Sequence, residues 1–482
     1  LSALLLHDLI DSAAERFGNT IAVTAGTTRL TYANIAVRSR EIAAALYERG
    51  VRRGDRVCVG VHVRAETVPI CLALARLGAV FVPYNPAAPE QDKARIIERI
   101  EPVLVAGDEP SAHLTFEQLA GLSAIPDARH ECAGEDQTYV IFFTSGTTGV
   151  PKGVEISHRT DYLRTMAQAV HEPRGPFVCM FPQFHMAGWA LTLSSLASGE
   201  EVVYVNGGDT AALVRAVHEH RAHHIYLIPA VLQRMIDYAD RPAGAYDSIR
   251  KLDTGTSATS PELLERAAAA FPNAELSVAY GSTEASCACL LTSRDVRSHA
   301  GSVGRAFTST QVRLSDESEI QVKSPFLFSR YFRDPEATER AFVDGWFRTG
   351  ETAVRDADGF YTIVGRTDDL IRSGGEWVAP AAVDLVVHKH PAVADAAVAG
   401  LPDPDWGQIV TAFVVLREGM DLTLEDLVAH CEGMISRSSL PRRLEFVDQI
   451  PRSAATGQAL RRRLGHSLRA PVADSHPTSA PG

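Results

Sequence analysis

Short apolar runs alternate along most of the chain with stretches whose apolar residues recur every three or four positions. "RVCVGV" (56–61) leads to the helical stretch "AETVPICLALARLG" (65–78). "AVFVPYN" (79–85), "PEQDKARIIERIEP" (89–102) and "VLVAG" (103–107) follow in the same rhythm. "EEVVYVN" (200–206), a helix to about Arg221, "HIYLIP" (224–229) and "VLQRMIDYA" (231–239) repeat it. Strand-length runs separated by amphipathic helices predict parallel sheets covered by helices. From Gly301 onward the pattern turns to β hairpins, "VRLSDESEIQVKS" and, after an Asp-Gly turn, "GFYTIVGR". "TDDLIRSGGEWV" (367–378) is charged and carries paired glycines, as a linker or hinge would. Helix and strand then alternate again to about residue 466, and 467–482 is rich in Pro, Ser and Ala, the composition of a disordered tail. The expected fold is α/β: a large N-terminal domain of helix-covered sheets with a small β-rich subdomain (1–367), a small mobile α+β C-terminal domain (368–466), and the tail.

A chain of 482 residues exceeds one ordinary core, in keeping with more than one domain. Its net charge of -12 argues against nucleic acid or an anionic membrane as the main partner. No apolar stretch reaches the roughly 18 residues that span a bilayer. "LSALLLHDLIDSAAERFG" at the start lacks a basic n-region and reads as an amphipathic helix, not a secretory signal; its first residue, Leu1, suggests a trimmed or processed chain. The seven cysteines are scattered without a C-x-x-C pair, which fits a reducing cytoplasm better than a disulfide framework. Four histidines (His218, His220, His223, His224) cluster, but no acid or cysteine joins them at a recognisable metal spacing; they read as a helix end running into a strand.

The sharpest chemical signal is "YVIFFTSGTTGVPKGVEISH" (139–158), an apolar strand running into a loop of glycines, hydroxyls and one lysine. Freed backbone N–H groups, the hydroxyls of Thr144, Ser145, Thr147 and Thr148, and the Lys152 ammonium are what a polyphosphate needs. The loop is not a Walker motif, because Lys152 lies between Pro151 and Gly153.

"TSGTTGVPKG" resembles the phosphate loop of the AMP-forming adenylating enzymes, which include acyl-CoA synthetases, peptide-synthetase adenylation domains and luciferases. "TGTSATSPEL", "AYGSTEAS", "GSVGRAF", "DGWFRTGE" and "GFYTIVGRTDDLIRSGGEWV" follow in that family's order, so the resemblance runs from the first helix to about Leu464 and is closest to the acyl-CoA ligase branch. It implies that a carboxylate is joined to the α-phosphate of ATP with Mg²⁺, and that the acyl group then passes to a thiol such as CoA. Thr144, Ser145, Gly146, Thr147, Thr148, Gly149 and Lys152 would hold the β and γ phosphates. Glu284 with Thr148 would carry Mg²⁺, and Thr283 would donate to the α-phosphate or the carboxylate. Tyr280 and Gly281 would meet the adenine, whose edge faces Gly255, Thr256 and Ser257. The ribose would take Glu351, where the family has aspartate, and Arg366.

In "FPQFHMAGW", His185 would gate the acyl tunnel, with Met186, Trp189 and Tyr226 among its lining. Asp368 would be the hinge, and Ser373, Gly374 and Gly375 would let a pantetheine arm pass. At the C-terminal end the family carries a lysine after a glycine, bridging α-phosphate and carboxylate. Here Gln458 follows Gly457, and the last lysine of the chain is Lys389. The resemblance therefore implies slow adenylation with thioester formation retained. Two other readings share the motifs: adenylation of a small oxyanion or acid with transfer to an amine, as in diazotase-like or amide-forming relatives, and a degenerate adenylate-binding protein. Oligomeric state is left open, a homodimer included.

Overall fold

The computed structural model describes residues 3–108, 112–127, 133–144, 151–452 and 459–464. Two compact units divide the chain. One comprises Leu1–Arg313, Gln321–Thr349 and Asp356–Tyr361; the other comprises Leu314–Ile320, Gly350–Arg355 and Thr362–Gly482.

The first unit contains two large sheets. Nine strands form one, in the spatial order Arg305–Ala306, Ser286–Leu291, Glu275–Ser282, Lys251–Gly255, His224–Leu227, Phe177–Cys179, Val202–Tyr204, Ile21–Ala25, Thr28–Thr31. The central pairs from Glu275–Ser282 to Ile21–Ala25 are parallel, as the alternation of strand and helix predicts, and antiparallel strands close both edges. Six strands form the second sheet: Arg330–Tyr331, Lys152–Ser157, Thr138–Thr144, Val80–Tyr84, Arg56–Gly60, Leu104–Ala106. Helix Thr67–Leu77 is buried at every residue, which is why its sequence is apolar all round instead of striped. Its one charged residue, Arg76, is kept in the interior by Asp11 at 2.5 Å and the Ser39 hydroxyl at 3.1 Å.

In the second unit, strands Glu376–Val378, Ile371–Ser373, Gly407–Leu416 and Val393–Asp403 lie side by side, and Arg443–Phe446 pairs with Gly407–Leu416 in parallel. Period-two alternation divides the long strand Val393–Asp403 between two cores. Ala396 and Val398 pack with residues of helices Pro380–Val387 and Leu424–Cys431, while Ala397, Ala399 and Leu401 pack with Phe413, Ile450 and Leu464.

The stretch 367–378 departs from the expectation of a linker. Thr367–Asp369 form a 3₁₀ turn, and the remainder is a hairpin in which Ser373 pairs with Glu376 across Gly374 and Gly375. The two glycines, at φ of 59° and 88°, supply the left-handed pair that a two-residue hairpin turn requires. The tail proposed for 467–482 lies outside the described residues.

Candidate functional site

The apolar run 139–143 forms most of the buried strand Thr138–Thr144, and Lys152 opens the antiparallel strand Lys152–Ser157 with Thr144 as its pairing partner. The lysine thus stands at the loop end of an antiparallel strand pair. Ser145, Gly146, Thr147, Thr148 and Gly149, the rest of the predicted phosphate cradle, lie outside the described residues.

Tyr331 connects this hairpin to the second charged group. It pairs with Val154 beside the hairpin, and its ring lies 4.7 Å from the Lys152 ammonium, a cation–π contact. Its hydroxyl donates to Glu284 Oε1 at 3.0 Å. The backbone around Glu284 is fixed from below: its carbonyl accepts from the Phe328 N–H at 2.8 Å and from Arg164 Nη2 at 3.1 Å. Arg164 also reaches the carbonyls of Thr283 at 3.2 Å and Phe326 at 2.8 Å. Only 1% exposed, this guanidinium needs such acceptors, and each hydrogen bond from a charged group contributes about 1.5–3 kcal/mol. Thr283 and Glu284 are thereby held on stiff backbone while the Glu284 side chain stays half-buried.

The adenine-facing residues of the sequence reading come together at the C-terminal ends of neighbouring parallel strands, where Gly255 pairs with Ala279 and Tyr280 follows. In open parallel sheets this is the end at which ligands bind. A Cβ on Gly255 would lie 2.2 Å from the Ala279 carbonyl, and one on Gly281 would lie 1.8 Å from that of Ser286. Both positions therefore require glycine for the strands to approach. Thr256 sits at φ 67°, an outlier for a β-branched residue of the kind that gathers at binding sites. Ser257 is half-buried beside it.

Behind these strands, His224 contacts Glu172 at 2.6 Å and Asp253 at 2.9 Å, and Lys251 reaches the same two acids at 3.4 and 3.1 Å. Burial works most strongly on the His224 ring, to lower its pKa, yet the charge and hydrogen bonds of Glu172 and Asp253 together outweigh it and the pKa rises. The expected helix end and strand are the elements Thr210–Glu219 and His224–Leu227. His220 turns instead to Glu201 at 3.5 Å.

His185 caps helix Met186–Ala197, its Nδ1 accepting from the Ala187 N–H at 3.2 Å, and it stacks on Phe181 at 6.4 Å. Burial pulls its pKa down to about 4, so the ring is neutral near pH 7 with its proton on Nε2. Phe181 meets Tyr226 edge-on at 5.1 Å, and the Tyr226 hydroxyl stands 2.6 Å from the point a Gly255 Cβ would occupy. His185, Phe181, Tyr226 and Gly255 thus form one continuous run of contacts. Trp189 is a correction to the expected lining: it is 1% exposed and donates its indole N–H to the Tyr139 hydroxyl at 2.8 Å.

In the second unit Arg366 lies 3.9 Å from Glu351, so the two expected ribose residues are neighbours. Asp368 falls within the 3₁₀ turn. Gly374 and Gly375 are exposed, whereas Ser373 is buried, which takes it off the expected passage. The Gly374 N–H donates to the Trp406 carbonyl at 3.0 Å, and a Cβ on Gly374 would strike the Trp406 ring at 2.6 Å. Arg442 lies 3.7 Å over Trp406 and Arg372 lies 5.5 Å over the exposed Trp377. Gln458 is outside the described residues.

Mg²⁺ suits the donors present. It keeps several waters and takes one or two protein carboxylates beside phosphate oxygens, as Glu284 next to a lysine provides. Among the described residues no group of three or more His, Cys, Asp or Glu gathers into an all-protein cage.

Arg164 and Tyr331 escaped the sequence reading. For Arg164 a signal existed: His158, Asp161, Arg164 and Thr165 recur at helical spacing on helix His158–Ala169, and all are buried. Tyr331 had none, since its meaning depends on a partner 47 residues away.

The model of the AMP-binding enzyme family matches residues 10–332, and that of the AMP-binding enzyme C-terminal domain matches 382–457. A 3-[(3aS,4S,7aS)-7a-methyl-1,5-dioxo-octahydro-1H-inden-4-yl]propanoyl:CoA ligase of Rhodococcus jostii is 31% identical over 92% of this chain and 94% of that protein. The long-chain-fatty-acid–CoA ligase FadD13 of Mycobacterium tuberculosis is 32% identical over 92% and 94%. Among solved structures, O-succinylbenzoate coenzyme A synthetase from Bacillus subtilis, in complex with ATP and magnesium ion, superposes with a TM-score of 0.85 at 25% identity, covering 95% of this chain and 98% of that one.

Proposed function

The chain belongs to the AMP-binding enzyme family, and from that premise we propose that it activates an organic acid, fatty or aromatic, as an acyl-adenylate and passes the acyl group to CoA. The observation that carries this reading is the Lys152–Tyr331–Glu284 cluster at the loop end of the strand pair, one cation and one carboxylate held in fixed relation by an aromatic ring.

The reaction brings an anionic carboxylate to an anionic phosphate, so catalysis rests on positioned cations and donors more than on a general base. Lys152 and Thr144 receive the β and γ phosphates, together with Ser145, Gly146, Thr147, Thr148 and Gly149. Thr283 donates toward the α-phosphate or the acid, and Glu284, with Thr148, holds Mg²⁺. When bound, that ion neutralises charge on the phosphate oxygens. Gly255, Thr256, Ser257, Tyr280 and Gly281 take the adenine, and Glu351 with Arg366 the ribose. His185 presents a neutral Nε2–H to the acyl channel, which Tyr226 helps to wall with the buried Phe181 packed behind both rings. For the acceptor, the exposed pairs Trp377–Arg372 and Trp406–Arg442 offer ring faces and guanidinium groups to a purine and its phosphates, beside the bare backbone of Gly374 and Gly375.

Two relatives support an organic acid as substrate, one named for long-chain fatty acids and the other for a propanoic acid carried on an octahydro-1H-indene ring system. A cytoplasmic setting is supported by the six described cysteines, all of them free. Among the described residues no helix is long and apolar enough to cross a membrane.

Pyrophosphate release over a panel of fatty and aromatic acids, with and without CoA, tests the reading. Wild type is expected to form adenylate and acyl-CoA, and Lys152→Ala to lose ~10²-fold or more in pyrophosphate release. Product that ignores CoA but requires an amine would transfer the reading to amide formation. Absence of ATP binding in the presence of Mg²⁺ would end it.

A further inference from the structure

Tyr331 meets two groups of opposite charge with two different parts of one ring system. Its hydroxyl donates to Glu284 Oε1 at 3.0 Å, and its π face lies 4.7 Å from the Lys152 ammonium. This is the polarity that a phenol prefers, with the O–H toward an anion and the electron-rich face toward a cation. Among the described residues, Lys152 and Glu284 make no ion pair with each other. A lysine and a glutamate on neighbouring stiff elements would otherwise neutralise one another and leave nothing for a phosphate or a metal.

The ring is anchored against drifting. Tyr331 is 6% exposed, its N–H donates to the Thr338 hydroxyl at 3.0 Å, and its strand pairs with Lys152–Ser157. Phe328 contacts the ring at 4.8 Å, and the Phe328 N–H is the one that holds the Glu284 carbonyl at 2.8 Å. The segment from Phe328 to Tyr331 therefore ties the backbone of Glu284 to the hairpin that bears Lys152.

We propose that Tyr331 is a positioning residue for the nucleotide site: it keeps the Glu284 carboxylate and the Lys152 ammonium apart and pre-set, each toward its own ligand. The proposal rests on the adenylating function above. The ring and the hydroxyl make separable contributions. The hydroxyl serves the metal carboxylate, whereas the ring face serves the phosphate lysine.

Calorimetric titration of ATP into wild type, Tyr331→Phe and Tyr331→Leu, once in excess Mg²⁺ and once in EDTA, reads the two contributions without turnover. In Tyr331→Phe the EDTA affinity is expected to stay within about twofold of wild type, because the ring remains under Lys152. The gain in affinity that Mg²⁺ confers is expected to shrink about tenfold, the loss of one hydrogen bond to a charged acceptor. Tyr331→Leu is expected to weaken ATP about threefold in EDTA as well. An undiminished Mg²⁺ gain in Tyr331→Phe would overturn the proposal. So would a uniform loss in both conditions accompanied by a lower melting temperature, the signature of a merely structural tyrosine. Wild type that binds ATP under neither condition would instead overturn the adenylating function itself, a distinct result. Should Tyr331→Leu fail to fold, the Phe variant alone decides.

Discussion

Arg461 is the residue best placed in sequence to replace a lost lysine at 458, and it is already committed. Its guanidinium donates to Asp384 at 2.6 Å and to the Val398 carbonyl at 3.0 Å, with Asp369 at 3.7 Å. Arg452, on the other side, is bound to Asp395 at 2.5 Å. Burial acts to raise the Asp395 carboxyl, but hydrogen bonds from His388 and Arg452 outweigh it and hold its pKa at about 2. Neither arginine can leave without breaking an ion pair, and a planar guanidinium copies a compact ammonium poorly in any case. Gln458→Lys is therefore expected to raise acid-dependent pyrophosphate release by ~10²- to 10³-fold, the worth of one preorganised donor. A gain below about threefold would mean that glutamine is no handicap here. At this scale the sequence marked out residues that stand within a local motif, such as Lys152, Glu284 and His185. Arg164 was only half legible: its polar stripe on helix His158–Ala169 sets it apart, but its partners Thr283 and Glu284 stand 119 and 120 positions away and offer only backbone atoms.

Helix Leu6–Phe17 has the amphipathic pattern expected of it, yet the face it buries includes His7 as well as Leu6, Leu9 and Ile10. His7 meets His158 edge-on at 6.0 Å, and the Leu6 N–H donates to His158 Nδ1 at 3.4 Å. Burial, with Arg76 nearby, pulls the His7 pKa down to about 3, and burial pulls that of His158 down to about 4. Both rings are neutral in the folded protein, whereas in the unfolded chain they take up protons below about 6.5. Proton uptake by the unfolded state means that this contribution is fully present above pH 6.5 and is lost as the pH falls toward 4. It amounts to about 3 kcal/mol for His158 alone. Thermal unfolding between pH 7 and pH 4.5 is expected to show a flatter decline for His158→Gln than for wild type; parallel declines would assign the acid sensitivity elsewhere. Elements with a clear apolar pattern were legible from the chain, as the parallel strands and the helix Leu6–Phe17 show. The hairpin Ile371–Val378 was not, because a charged stretch around two glycines looks alike whether those glycines loosen a linker or close a tight turn.

At the scale of the whole molecule, the chemistry divides between residues of two compact units, and that division gives the glutamine a selective consequence. Lys152, Thr283, Glu284 and His185 belong to the first unit; Gln458 and the exposed Gly374–Gly375 turn with its tryptophan–arginine pairs belong to the second. Under the proposed function, adenylation would call on position 458, where the approach of two anions most needs a cation. Thioester formation would call on the turn, where a thiol passes exposed glycine backbone and a purine meets a ring face. A chain that lacks the lysine but keeps the turn should be slow in the first step alone. Synthetic acyl-adenylate supplied with CoA is then expected to yield acyl-CoA ~10²-fold faster than the same acid supplied with ATP and CoA, and Gln458→Lys should close most of that gap. Equal rates by the two routes would place the bottleneck at thiol transfer or product release, and the glutamine would have to be explained by the acid it serves instead of by the charge it lacks.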